Sequence, residues 1–417
     1  MVIADSELLS ERFFRDSGLA ADFAAQSRLG IYVHVPFCPH ICPYCDFVKT
    51  ARFTRKDVEI YFAALEQQFE MMVADVPDSF KMATLYFGGG TPGLFPASYY
   101  NALIKKIRNR FDLEEFTVET NPYSNSSGMF RQWSDLGVTR ITLGAQSLDA
   151  EVLKYLGRKH SRDDVFASLD SAHEAGIKDV QVDLIFGLRS EFSGRNLRSE
   201  ISQLAQKGAT GVSCYLLTIE QSTAFFREHP ATDESAVGEY QQLCEACSSE
   251  GFTQFETSNF SRRPAIHNRL YWYGLPYLGL GTGAHGLLPG SREHPFGRRY
   301  HVGVIPPRSA TGDDDLNFKI RPNELFEIEY SESSRTRNEV LQELLMTLLR
   351  TQKGIPLMWL DSVFPKDVLN AFWQDPRIQR ACSESLMVKD TSHLMLSSSE
   401  KMRGDSWSVL ISKLLMV

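Results

Sequence analysis

Cysteine is scarce in this chain: there are 7 in 417 residues, at Cys38, Cys42, Cys45, Cys214, Cys244, Cys247 and Cys382. An odd, clustered set excludes a secreted disulfide framework and suits a reducing compartment. Long apolar runs are missing too; none approaches the ~20 residues that a membrane-spanning helix requires. Positive charge is not in excess. Lys and Arg number 44 against 52 Asp and Glu, a net charge of −8, so no nucleic-acid surface is expected. The basic run at 105–110 reads as the solvated face of a helix. Residues 1–25 lack an apolar signal core. With Asp5, Glu7, Glu11 and Asp16 they also lack the acid-poor character of a transit peptide. Internal repeats and low-complexity tracts are absent. The chain reads as cytoplasmic, with 43% hydrophobic residues and length enough for two or three domains.

From residue 30 onward, strand-like and helix-like stretches alternate. Apolar runs at 31–35, 83–87, 116–120, 140–145, 180–186 and 212–219 predict strands. Between them lie helical patterns such as 163–175, where Val165, Leu169 and Ala172 share a face and Gly176 ends the helix. Alternating β and α implies parallel strands with helical crossovers. About six such units give an α/β fold, an open partial (β/α)6 barrel. The expected organisation is an extension over 1–29 with a helix near Leu8 and Phe14, and a barrel core over 30–260. A segment rich in Gly, Tyr and Asn follows over 261–334, polar and linker-like around 308–315, and then a C-terminal domain over 335–417. In that domain Val340, Leu341, Leu344, Leu345, Leu348 and Leu349 mark an amphipathic helix. Further helices at 363–372 and 406–415 and a hairpin within 386–396 outline a winged-helix-like α+β module.

Three cysteines fall in one loop after the first strand, Cys38-Pro-His-Ile-Cys42-Pro-Tyr-Cys45, spaced C-x3-C-x2-C. Three thiolates can grip one face of a cluster. They are one short of the set that saturates a [4Fe-4S] cube, which leaves one iron open. The same loop accommodates a structural zinc with His34 or His40 as fourth ligand, or a disulfide with a spare thiol. Other polar or glycine features fall at the C-terminal ends of successive strands, where β/α barrels place their chemistry. These are Gly88-Gly89-Gly90-Thr91-Pro92, Glu119, Gln146 and Asp183. The glycines permit close backbone approach to a ligand, and a tight turn explains them equally. No Lys-Ser/Thr pair follows, so this is no phosphate loop. Glu119 can accept from both hydroxyls of a ribose or act as a capping acid. Gln146 and Asp183 can be satisfied core polar groups, and Arg158 a solvated charge at a helix end.

The motifs YVHVPFCPHICPYCDF from Tyr32, YFGGGTPGLF from Tyr86 and VETNP from Val118 are followed by GVTRITLGAQSLD from Gly137, LGRKHS from Leu156 and VDLIFGL from Val182. YLLTIE from Tyr215, HNRLYW from His267 and YLGLGTGAHG from Tyr277 come next. In this order they resemble the radical-SAM superfamily, in particular the branch of oxygen-independent coproporphyrinogen III oxidases and HemW-type haem chaperones. The resemblance covers residues 30–290 or so, and favours the cluster over zinc. It implies a [4Fe-4S] cluster on Cys38, Cys42 and Cys45, with S-adenosylmethionine (SAM) capping the open iron. Carried over position by position, it implies SAM contacts at Tyr32, Tyr44, Gly89, Gly90, Thr91, Glu119, Gln146, Arg158 and Asp183. The chemistry agrees: carboxylates suit an amine or ribose hydroxyls, and an arginine pairs a carboxylate through parallel N–H bonds. In this family the reduced cluster passes an electron to the sulfonium and a C–S bond breaks, giving a 5′-deoxyadenosyl radical. The protein's share is position and exclusion of water.

Two features separate the sub-branches. The oxidases resemble C-x3-C-x2-C-x-C; here Phe47 stands at the fourth cysteine position, the HemW-like form. HNRLYW matches the motif associated with haem binding in the chaperones, which makes His267 a candidate axial ligand, with Tyr271 and Trp272 lining the macrocycle. The plain alternative is that His267 and Asn268 fix a loop while Tyr271 and Trp272 fill the core. Ile266 stands where many relatives have cysteine, which argues against a thiolate ligand. Cys214, Cys244, Cys247 and Cys382 read as ordinary residues, and His285 in Gly283-Ala284-His285-Gly286 has no assigned role. The expected function is a haem chaperone that binds haem, cluster and SAM, takes electrons from a donor and delivers haem to apoproteins. The alternative is a coproporphyrinogen III oxidase.

Overall fold

The computed structural model of the chain describes residues 28–122, 127–189, 192, 194–228, 234–303 and 330–416. The helix expected near Leu8 and Phe14 and the polar stretch 308–315 lie outside these. No helix among the described residues is long and apolar enough to cross a membrane.

Six parallel strands run in sequence order: β1 (Arg28–Val35), β2 (Met82–Gly89), β3 (Asp112–Thr120), β4 (Arg140–Gln146), β5 (Asp179–Phe186) and β6 (Gly211–Leu216). All six expected strands are present. The last stops at Leu216, three residues short of the expected run, with the Leu217 amide making one more bond to the Phe186 carbonyl at 2.8 Å. The sheet stays open. Beyond β6 it continues with two short antiparallel strands, β7 (Thr253–Gln254) and β8 (Asn259–Ser261). Beyond β1 lie β9 (Tyr277–Leu280), parallel to β1, then β10 (His285–Leu288), β11 (Arg298–Val302) and β12 (Tyr330–Ser334), each antiparallel to its neighbour. The stretch 261–334 thus supplies four strands to the same sheet.

Alternation along the strands divides the sheet into two unlike faces. Ile31, Val33, Leu85, Phe87, Phe116, Val118, Ile141 and Val182 point outward, and the crossover helices bury them. The helix Arg55–Val73 shows how the sequence builds that layer. A Thr54–Asp57 capping box starts it. Val58, Tyr61, Phe62, Leu65, Phe69 and Met72 recur at helical spacing and are buried. Each such side chain stabilises the fold by about 1.5–3 kcal/mol. The register lines the other, concave face with polar rows: Glu119 beside Thr142 and Gln181, and Gly144 beside Asp183 and Ser213. The interior of the partial barrel is therefore a polar cavity and not a packed core.

A second apolar cluster forms around the helix Arg337–Arg350, where Val340, Leu341, Leu344, Leu345, Leu348 and Leu349 are all buried. The helices Leu357–Val363, Lys366–Gln374, Pro376–Ser383 and Gly404–Leu415 surround it. A small antiparallel sheet completes the winged-helix-like module; it comprises β13 (Ile355–Pro356), β14 (Met387–Lys389) and β15 (His393–Leu396). Leu270, from the helix Ile266–Trp272, and Tyr273, just after it, join this cluster and tie the module to the barrel.

Candidate functional site

A cavity of about 460 Å³ opens at the C-terminal ends of the strands, within the range of small-molecule and cofactor sites. Its wall includes Cys38, Cys42 and Cys45 from the loop after β1, together with Tyr44. Gly89, Gly90 and Thr91 follow β2, Glu119 ends β3, Gln146 ends β4, Arg158 lies beyond it, and Asp183 stands on β5. Of the candidate residues for cluster and SAM, only Tyr32 lies outside the wall. It sits just below, where its hydroxyl donates to His34 Nδ1 at 3.0 Å, since His34 Nε2 donates to the Val48 carbonyl at 2.7 Å.

Two glycines set the approach of the second loop to the first. Gly90 donates its amide to Val35 O at 2.8 Å and Thr91 to Phe37 O at 2.9 Å, so the glycine turn is laced to the chain entering the cysteine loop. A Cβ at Gly90 would stand 2.7 Å from Phe37 O. Gly89 has φ +105° and faces the His34 ring. Its amide donates to Glu119 Oε2 at 3.1 Å. The glycine amides therefore serve the protein's own backbone and Glu119.

The thiols have cationic or donor neighbours. The Thr91 hydroxyl donates to Cys38 Sγ at 3.8 Å, and Arg158 Nη1 lies 3.5 Å from Cys42 Sγ. Burial pushes the Cys38 thiol up to about 11 and raises Cys45 as well. Thiolates in this setting need a positive centre to hold them. Among the described residues no three His, Cys, Asp or Glu side chains are already gathered around a single ion; a cube takes one thiolate per iron.

The far wall is acidic. Glu119 accepts from the Tyr86 hydroxyl at 2.7 Å and from Gly89 N, and burial raises its carboxyl. Asp183 Oδ1 is buried without a hydrogen-bond partner among the described residues. Burial, and then the charge of Glu119, push the Asp183 carboxyl up to about 8. Two carboxyls, one with an orphaned oxygen, make a wall suited to a cationic ligand. Arg158 is held against Gly144 O at 2.6 Å and against Asn121 Oδ1, whose amide nitrogen donates to Thr91 Oγ1 at 3.1 Å.

The residues missed in the sequence are those that support this wall. Gln146 takes φ +69°, unusual for a residue with a side chain. Arg195 Nη2 donates to its carbonyl at 3.2 Å, and the same guanidinium pairs with buried Glu200 at 2.7 Å. Nothing in the local pattern around Arg195 signals that role. The residues HNRLYW lie apart from the cavity. His267 is 1% exposed, with Nδ1 bonded to Thr84 Oγ1 at 2.7 Å and Nε2 to the Tyr271 hydroxyl at 2.6 Å. Burial lowers its imidazole to about 3. Trp272 lies under the Arg350 guanidinium at 5.0 Å.

A parallel partial barrel with three cysteines after its first strand and a glycine turn laced beside them is the arrangement of radical-SAM proteins, and residues 32–192 match the Radical SAM superfamily. The chain is 32% identical to the heme chaperone HemW of Lactococcus lactis, over 69% of this chain and 77% of that protein. It is 34% identical to HemW of Bacillus subtilis, over 63% and 71% respectively. Its identity is also 34% to a bovine protein named radical S-adenosyl methionine domain-containing protein 1, mitochondrial, over 89% and 84%. This chain belongs to the HemW family of the radical-SAM superfamily. Its fold is similar to that of the Escherichia coli coproporphyrinogen III oxidase HemN, with a TM-score of 0.69 over 94% of this chain and 91% of the other at 18% identity.

Proposed function

We propose that this chain is a haem chaperone that binds haem together with a [4Fe-4S] cluster and SAM, takes electrons from a donor protein and passes haem to acceptor apoproteins. The reading places it in a reducing compartment, the cytoplasm on the composition above. Cys38, Cys42 and Cys45 would hold the cluster. Glu119, Asp183, Gln146, Arg158 and the turn Gly89-Gly90-Thr91 would hold SAM, with Tyr44 beside them and Tyr32 supporting from below. When bound, the pair supplies one-electron cleavage of a C–S bond. The chain's own residues do the rest. Arg158 and Thr91 place donors against the sulfurs, Asp183 holds a proton until a cation displaces it, and Leu217 and Ile185 line the wall against water.

The observation that carries the chaperone reading is Phe47. It stands where the oxidases place a further cysteine, lines the cavity mouth and is 67% exposed. With Ile41, 47% exposed on the same loop, it gives the mouth an apolar lip suited to a macrocycle or a partner. The likeness to the oxidase extends to the fold. The test is anaerobic reconstitution with iron and sulfide, haem titration, and an assay with coproporphyrinogen III. Saturable haem uptake without conversion is expected; sustained formation of protoporphyrinogen would overturn the reading.

A further inference from the structure

We propose that His285 and His301 form the haem-iron site of this chain, with His285 as the ligand. This rests on the haem-chaperone reading. The two residues face each other across antiparallel β10 and β11, their ring centroids 4.4 Å apart and the planes 34° from parallel. His285 is exposed and His301 half-buried. Neither ring has a hydrogen-bond partner among the described residues. Five other histidines, His34, His160, His267, His294 and His393, carry ring hydrogen bonds to oxygen. His267 would have to break two of them inside the core before it met iron.

The pair also lies in the right place. Gly30 pairs with Tyr277, and Tyr277 with Leu287, so the alternation sets His285 and His301 on the concave face. β10 runs against β9, which brings His285 to the same end of the sheet as the cysteine loop. There the turn before it packs on that loop: a Cβ at Gly283 would stand 2.6 Å from Val48 Cγ2. Val48 follows the exposed Phe47, so an apolar surface and an imidazole pair occupy adjoining segments. Burial, His301 and Arg299 hold the His285 imidazole below its usual range, which keeps it neutral as a ligand must be. A bare metal ion would want further protein ligands, whereas haem iron takes only one or two.

The test is a haem titration of the cluster-loaded full chain followed by absorption and EPR spectroscopy. The variants are His285→Gln, the double variant His285→Gln/His301→Gln, and His267→Gln as comparator. Iron and sulfide content reports on folding. Both variants of the pair are expected to keep the cluster, to shift the Soret band and to bind haem about tenfold or more weakly, since loss of a ligand exceeds loss of a ligand's supporting partner. The parent Soret band is expected in His267→Gln. Unchanged spectra and affinity in the double variant, with the parent binding haem, overturn this proposal alone. A parent protein that takes up no haem overturns the chaperone reading and this site with it.

Discussion

His267 stacks on Tyr86, ring centroids 5.1 Å apart and planes 27° from parallel, and the Tyr86 hydroxyl in turn donates to Glu119 at 2.7 Å. The helix Ile266–Trp272 thus closes the floor of the partial barrel. Glu115 anchors its start, accepting from the amides of Ile266 and His267 at 2.8 and 2.9 Å. Through Tyr86 the HNRLYW stretch supports a carboxylate of the cavity wall.

Replacing His267 by alanine removes a buried ring and strands the hydroxyls of Thr84 and Tyr271. The expected loss of stability is about 2–4 kcal/mol, read by denaturant unfolding, with weaker SAM binding as Tyr86 loosens its hold on Glu119. Unaltered stability would contradict the supporting role.

Asp183 should link SAM binding to a proton. Its carboxyl sits at about 8 in the folded chain against an ordinary value of 3.8, so it is protonated at pH 7. A cationic ligand favours the charged form, and the proton leaves. Calorimetry of SAM binding to the cluster-loaded protein at pH 7, in buffers of different ionisation enthalpy, should report proton release that Asp183→Asn abolishes. The folded chain holds this proton where the unfolded chain does not. Stability therefore declines as pH rises from about 4 to 8, and the asparagine variant should flatten that slope. Binding heats independent of buffer would contradict the linkage.

Arg195 should matter twice. Alanine there leaves Glu200 buried without its partner and costs about 3–5 kcal/mol. Pairing Arg195→Met with Glu200→Gln, which keeps an acceptor for the Leu148 amide and the Ser147 hydroxyl, should restore much of that stability. SAM affinity should stay low in the double variant, because the Gln146 carbonyl has lost the donor that holds its φ of +69°. Recovery of affinity along with stability would show that Arg195 acts on the fold alone.

The fold was legible where chemistry is local. Six strand cores stood out as apolar runs, and the helix Arg337–Arg350 as a leucine stripe. Most candidate cavity residues were legible because they follow strands directly. The β9–β12 extension was not: its strands are short, two of them carry glycine, and they are joined by antiparallel pairing that no period reveals. Arg195 was equally silent, since it acts on Gln146 from 49 positions away. The setting of His267 follows from contacts with Thr84 and Tyr86, which are distant in sequence and adjacent only once β2 and the helix Ile266–Trp272 meet.

The most direct measurement is the metal and sulfide content of the chain after anaerobic reconstitution, with EPR of the reduced protein before and after SAM. About four iron and four sulfide per chain are expected, with a signal that SAM perturbs and that Cys42→Ala removes. Protein that binds zinc in place of iron, carries no sulfide and ignores SAM would contradict the account.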